Sequence, residues 1–423
     1  MANLIQGNLK KPTNEILGKF FDMTESTVRY HKNNNQENFD NMLREYRMKN
    51  SPFIPLQDYN LTMNTNYSEE DILTHKIPGI LNKDGNVLIP TVIDDIISTL
   101  KILKGMKGSN VISLSNFKGG VGKSSTAINI ATVLSFFCAK VLIVDLDIQG
   151  NTTSMFDIYR NKKTSRVDLQ NMNSRVEELY DLETSDYKYT IVDLMASVEQ
   201  DNLAEMVKES IININDKVST IGQIDIIPNS CSIENAMKFE KIDKYLANSA
   251  NIDNGLNKVL SLIKDDYDFI IIDTPPSISL PLRMSIVATD YFIITLTADK
   301  MAKDGISPFL APIEYYKKAY DKKDDVVVLG GILNKFQNSN IQKVNKDTID
   351  KTLLVNTTNA GLGDATLFEQ VIKNSNVMIE AQSETCSVLV YEPTHEIVRD
   401  YFNLSIEIIE RIIIDKKSKQ PKA

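Results

Sequence analysis

The stretch Val111-Ile112-Ser113-Leu114-Ser115-Asn116-Phe117-Lys118-Gly119-Gly120-Val121-Gly122-Lys123-Ser124-Ser125 decides the fold. A short apolar run leads into a glycine-rich turn, and Thr126-Ala127-Ile128-Asn129-Ile130-Ala131 beyond it carries a helical pattern. Gly119, Gly120 and Gly122 let the backbone turn tightly and bring its N–H groups close to an anion, while the following helix directs its positive end at the same charge. In such a loop Lys123 reaches the β- and γ-phosphates of a nucleoside triphosphate, and the Ser124 hydroxyl takes a place on Mg2+.

Further short apolar runs follow at intervals filled by helical stretches. Val141-Leu142-Ile143-Val144-Asp145 and Phe269-Ile270-Ile271-Ile272-Asp273 each end in an acid. Ile224-Asp225-Ile226-Ile227-Pro228, Tyr291-Phe292-Ile293-Ile294-Thr295 and Val326-Val327-Val328-Leu329-Gly330 supply three more strands. Runs this apolar on both faces suit a buried parallel sheet, so the expected class is an α/β P-loop NTPase with a mostly parallel sheet flanked by helices. An acid at the carboxyl end of such a strand stands beside the phosphate crevice, where it holds a cation or orients water.

A chain of 423 residues exceeds one ordinary core and predicts two or three domains. No window approaches eighteen apolar residues and the N-terminus lacks the apolar stretch of a signal peptide, so the chain is expected to stay in the cytoplasm. Cys138, Cys231 and Cys386 lie far apart, as do His31, His75 and His395, a pattern that fits neither a disulfide framework nor a zinc site. A net charge of −9 argues against a protein that coats nucleic acid over its whole surface and leaves room for a local basic patch, so any DNA contact is expected to be regional.

Lys118 before GGVGKS, with Phe117 where the general phosphate-loop pattern has its first glycine, resembles the deviant Walker A ATPases of the ParA/MinD family. The resemblance implies that Lys118 reaches across a dimer interface to a partner's nucleotide. Asp145-Leu146-Asp147-Ile148-Gln149-Gly150-Asn151 resembles the family's D-x-D-P-Q-G-N segment, with Ile148 where proline is usual. It implies that Asp147 positions or polarises the attacking water and that Asp145 supports the magnesium shell. Ile272-Asp273-Thr274-Pro275-Pro276-Ser277 looks like the family's Walker B region, so Asp273 would order magnesium through water. The implied catalytic residues are Lys118, Lys123 and Asp147; Val121 and Ser125 join the glycines, Lys123 and Ser124 at the nucleotide, and Ser124, Asp145 and Asp273 serve the metal. Asn334, after Gly330-Gly331-Ile332-Leu333, is either the family asparagine that contacts adenine or a turn residue. The likeness runs through most of residues 110 to 400, and the long segment between Asn151 and Asp273 matches the larger plasmid-partition members.

The first hundred residues read differently. Ile16 to Lys32, within a unit of about 13–32, fits a helix-turn-helix: Leu17, Phe21, Met23, Val28 and Tyr30 for the small core, Gly18 for close approach, Asp22 at the turn, and Thr24 as N-cap ahead of Glu25. Ser26, Thr27, Arg29 and Lys32 would then face base edges or phosphates in a major groove. A helical hairpin used only for packing or dimerisation is the alternative, and the resemblance to partition ATPases with an N-terminal operator-binding region favours DNA. Asn33 to Asn50 reads as a solvated connecting or dimerising helix, and Lys83-Asp84-Gly85-Asn86 as a hairpin turn between Ile80-Leu81 and Val87-Leu88-Ile89, either a wing or a plain connection. The Gly-Lys composition at Lys104 to Gly108 divides a smaller, mainly helical DNA-binding region, 1–107, from an ATPase domain, 108–423. Within the latter, Lys335, Lys343, Lys346, Lys351 and Lys373 lie where family members hold nonspecific DNA; a solvated lysine face is the alternative.

The resemblance therefore implies a homodimeric, ATP- and Mg2+-dependent partition protein of the nucleoid. A ParB-type adaptor bound to a centromere site would stimulate it, and its helix-turn-helix would repress its own operon. A MinD-like membrane regulator would need an amphipathic C-terminal helix, which Ile406 to Ile414 and Lys416-Lys417 superficially offer. Glu407, Glu410 and Asp415 suit an anionic membrane poorly, so a packing helix without stable membrane association is expected. A transcription regulator that only senses nucleotide is the third reading.

Overall fold

The computed structural model describes residues 9, 11–74, 77–81, 86–106, 108, 110–156, 158, 187–218, 222–230, 237, 240, 254–277, 279–320 and 326–419. Three helices open the chain: α1 (Asn14–Phe20), α2 (Glu25–Asn34) and α3 (Gln36–Asn50). Thr24 caps α2, its hydroxyl accepting the Thr27 N–H at 3.2 Å, and Asp22 takes the left-handed turn conformation at φ +52°. A Cβ on Gly18 would stand 2.7 Å from the Met23 carbonyl oxygen, so glycine is what lets α1 meet the turn. Leu17 and Val28 are buried with Phe39 and Met42 of α3. Met23 and Tyr30, expected in this core, are 38% and 61% exposed, and the two α3 side chains take their place. The Asn33 to Asn50 stretch is thus not a solvated connector: Asn35 ends α2 and caps α3, and one face of α3 packs.

Next come β1 (Phe53–Pro55), α4 (Leu56–Met63), α5 (Glu69–Leu73), β2 (Ile80–Leu81), β3 (Val87–Pro90) and α6 (Ile93–Lys104). The strands form an antiparallel sheet in the order β1-β3-β2. Pairing of Ile80 with Leu88 and Leu81 with Val87 makes the hairpin read from the sequence; its turn at 83–85, like His75 and Cys231, lies outside the described residues. This region shares one core with the nucleotide domain. The Phe53 ring meets Phe136 and Phe402 edge-on at centroid distances of 6.1 and 5.6 Å. The composition change at 104–108 therefore marks no break in packing, and the separate small core is that of α1 to α3.

The main sheet holds β4 (Asn110–Ser115), β5 (Lys140–Asp145), β6 (Ile212–Asn213), β7 (Gln223–Ile227), β8 (Phe269–Asp273), β9 (Tyr291–Thr297) and β10 (Val327–Asn334). Its order is β10-β9-β4-β8-β5-β7-β6, parallel except for the short edge strand β6. The last strand runs four residues beyond the expected Gly330 and ends on Asn334 itself. After β4, α7 (Lys123–Phe136) is buried nearly all round, between the sheet and the C-terminal helix Glu396–Ser418, which explains why it lacks a polar stripe. Ile408, Ile409, Ile412 and Ile413 of that C-terminal helix lie in the core, so its apolar face is covered by the protein. Among the described residues no helix is long and apolar enough to cross a membrane.

Candidate active site

Parallel strands place their carboxyl ends along one edge, and β4, with β8 on one side and β9 on the other, opens the crevice there. Gly120 and Gly122 sit at φ +73° and +88°, conformations that a side chain disfavours, and Gly122 leads directly into α7. Lys123 is buried at the start of that helix. Burial pulls its ammonium pKa down, and the charges of Asp273 and Asp147 pull it back up. Asn116 anchors the entry to the loop: its Nδ2 donates to the Thr295 carbonyl at 2.6 Å and its Oδ1 accepts the Lys118 N–H at 3.0 Å. The Lys118 side chain is half-exposed and leaves the cleft altogether, its Nζ lying 2.7 Å from Asp299 Oδ2.

The two strand-ending acids are neighbours because the register pairs Asp145 with Asp273. Both are fully buried. Asp145 is fully engaged by the protein: Oδ2 accepts the Thr153 N–H at 2.9 Å and hydroxyl at 2.7 Å, and Oδ1 accepts the Asp147 N–H at 3.1 Å. Asp273 is engaged on one side only, with Oδ2 accepting from the Thr152 hydroxyl at 2.7 Å and Oδ1 buried without a hydrogen-bond partner among the described residues. Burial, then the charge of Asp273, pushes the Asp145 carboxyl up; burial likewise raises Asp273, against the Ser124 and Thr152 hydroxyls. Asp147 stands forward on the cleft wall, with Oδ1 accepting the Gln149 N–H at 3.0 Å. Ile148, in the place of the usual proline, leaves this turn closed: the Gly150 N–H donates to the Asp147 carbonyl at 2.9 Å.

The cleft has a volume of about 780 Å3. Gly119, Gly120, Gly122, Lys123, Ser124, Ser125, Asp147 and Asn334 line it, whereas Val121, Asp145 and Asp273 lie a layer behind and Lys118 stands outside. Asn334 turns its amide to the loop, Nδ2 donating to the Val121 carbonyl at 2.8 Å and to Thr126 Oγ1 at 3.1 Å. The opposite wall was not legible in the sequence: Ile372, Met378, Gln382 and Tyr401 come from more than two hundred residues downstream, and Gln382 Nε2 bonds the Ser125 hydroxyl. Among the described residues no three acid, histidine or cysteine side chains converge as an all-protein metal cage.

On α2, Ser26, Thr27, Arg29 and Lys32 are all exposed. The five lysines grouped by sequence come from the cleft and from one helix. Lys335 and Lys373 line the cleft, where Lys335 Nζ donates to the Gly120 carbonyl at 2.8 Å and Lys373 Nζ pairs with Glu396 at 2.7 Å. Lys343, Lys346 and Lys351 stand on the helix Asn340–Asn359, with Asp347 and Asp350 among them.

The family described as an AAA domain matches residues 109–326, more than half of the chain. The chain belongs to this family. This AAA-domain ATPase is 24% identical over 304 residues to the sporulation initiation inhibitor protein Soj of Bacillus subtilis, covering 70% of the chain and 97% of Soj. It is also 24% identical over 302 residues to the chromosome partitioning protein ParA of Myxococcus xanthus, covering 71% of the chain and 88% of that relative. Cyanothece McdA, solved as an ATP complex, shares the fold at a TM-score of 0.50 and 16% identity, over 75% of the chain and all of McdA. The AAA-domain ATPase is therefore of the ParA type, with a P-loop NTPase fold.

Proposed function

We propose that this ATPase is a DNA-partition switch, in which an ATP-bound homodimer holds DNA nonspecifically and hydrolysis releases it. The observation that carries the reading is the placement of Lys118: a cation beside the phosphate loop, half-exposed, outside its own cleft and held there by an exposed pair with Asp299, would turn to the nucleotide of a second copy. Within one copy, Lys123 and the loop N–H groups bind the β- and γ-phosphates, and Asp147 on the cleft wall orients the attacking water. The Ser124 hydroxyl and the unpartnered Asp273 Oδ1 are hard oxygen donors suited to Mg2+, which shares its ligands with substrate phosphates and needs no all-protein cage. When bound, that ion neutralises charge on the β- and γ-oxygens. Asp145, with both oxygens already bonded, acts from behind by holding the Asp147 turn.

The exposed face of α2 is proposed to read an operator, giving autorepression, and a centromere-bound ParB-type adaptor is the proposed stimulator of hydrolysis on the nucleoid. The covered apolar face of the C-terminal helix argues against a MinD-like membrane reading. The test is a binding assay of the purified chain on nonspecific duplex DNA with ATP, with ADP and without nucleotide. Retention at least about tenfold stronger with ATP is expected. Retention no stronger with ATP than with ADP would sink the proposal.

A further inference from the structure

We infer that Lys335, read from the sequence as a DNA contact, is a positioning residue for the ATPase reaction that pre-sets the phosphate loop together with Asn334. Two consecutive residues at the end of β10 bond two consecutive carbonyls of the loop: Lys335 Nζ to Gly120 O at 2.8 Å and Asn334 Nδ2 to Val121 O at 2.8 Å. In a trans peptide unit the carbonyl and the N–H point in opposite directions. Drawing the Gly120 and Val121 carbonyls toward β10 therefore turns the N–H groups of Val121 and Gly122 the other way. Donors at a helix start have no intrahelical partner, and donors fixed before the substrate arrives cost no reorganisation when it binds.

The loop needs such a clamp because its glycines supply freedom without direction. Gly119 and Gly120 would meet nothing within 4 Å if they carried a Cβ, so no neighbour packs on that side of the loop to fix it. Lys335 itself sits in the left-handed region at φ +56°, an unfavourable conformation for a residue with a side chain. That conformation follows directly on Asn334, the last residue of the strand, and the Lys335 side chain spans to the loop. Gly122 completes the fit, since a Cβ there would come within 3.0 Å of Asn334 Nδ2.

The inference rests on the loop's binding phosphate, which Lys123→Ala tests separately: ATP binding undiminished in that variant would overturn the loop reading itself. For the clamp, the full chain is compared with Lys335→Met, Lys335→Arg and Lys335→Gly by steady-state ATPase kinetics and thermal melting. Lys335→Met and Lys335→Gly are expected to raise the KM for ATP about tenfold, the scale of one lost charge-assisted hydrogen bond at an exposed site, with kcat within about twofold. Lys335→Arg, which keeps a cationic donor, is expected to stay within about threefold of the wild type. Glycine relieves the backbone strain, so Lys335→Gly should melt no lower than the wild type while binding ATP more weakly. A KM unchanged in Lys335→Gly, or a KM that rises only in variants with lowered Tm, overturns the clamp. So does a Lys335→Met variant with wild-type KM that loses DNA retention at saturating ATP.

Discussion

Lys118 Nζ lies 2.7 Å from Asp299 Oδ2, so the lysine proposed to serve a second copy's nucleotide is held by its own chain. Burial favours the neutral Asp299 carboxyl, yet hydrogen bonds from Lys118 and Thr297 hold it below the usual carboxylate range. With side chains 50% and 38% exposed, the pair contributes at most about 1 kcal/mol, an amount that a partner's triphosphate outweighs. A symmetric dimer releases two such pairs, so Asp299→Asn should strengthen the ATP-dependent dimer by up to about thirtyfold in sedimentation equilibrium, since 1.4 kcal/mol is about tenfold. Lys118→Gln should bind ATP normally and fail to hydrolyse it; unchanged turnover would remove Lys118 from the mechanism.

Asp145 and Asp273 are adjacent acids with different hydrogen-bond accounts, and their amides should behave oppositely. Asp273→Asn removes a charge whose Oδ1 meets no protein donor, so nucleotide-free stability should hold while magnesium-dependent turnover falls by about a hundredfold or more. Asp145→Asn keeps one acceptor, so its NH2 must face either the Thr153 donors or the Asp147 N–H, and it should cost about 1–3 kcal/mol of stability in urea melts. An Asp145→Asn variant as stable as the wild type would contradict the assignment.

The phosphate loop was legible because its chemistry is local: three glycines, two lysines and two serines act within eight residues of a strand end. The acid-ended strands were legible for the same reason, since a run such as Phe269–Asp273 carries its own apolar signal and its own stop. The far wall was not. Gln382 reaches Ser125 only because the C-terminal elements fold back over α7, and nothing near either residue announces the other. For Lys335 and Lys373, charge alone did not say that one would also meet a loop carbonyl and the other a carboxylate. Tyr30 was misplaced because an aromatic on a short helix looks like core until α3 supplies Phe39 and Met42 instead.

The small unit of α1 to α3 has only four buried apolar side chains, so one truncation should melt it alone. Phe39→Ala removes its largest core member, a change that costs about 3–5 kcal/mol in ordinary cores. Limited proteolysis should then cut within residues 14–50 while ATP turnover stays near the wild-type value, because the nucleotide cleft draws on a different core. Under the operator reading, footprinting at the promoter is lost and nonspecific, ATP-dependent retention survives. Loss of both together with turnover would mean that the two cores are coupled.

Burial of Asp400 should give the fold a pH dependence. Burial pushes its carboxyl up to about 6, with Lys373 opposing and Glu396 adding to the rise, while Gln370 Nε2 donates to Oδ1 at 3.0 Å. The folded state therefore holds this proton more tightly than the unfolded chain, whose value is near 3.8. Below about pH 4 both states are protonated and the residue costs nothing; as pH rises toward 6 the unfolded state ionises first and stability falls; above that the loss is constant. A shift of about two units corresponds to about 3 kcal/mol. Asp400→Asn has no charge to desolvate but keeps one acceptor where the carboxylate met both Gln370 and the Lys373 N–H, so it should trail the wild type by about 1 kcal/mol in urea melts near pH 4, and the difference should move in its favour by up to about 3 kcal/mol by pH 7.5. A difference that does not move in its favour between those two pH values would show that Asp400 is solvated or paired in the native protein.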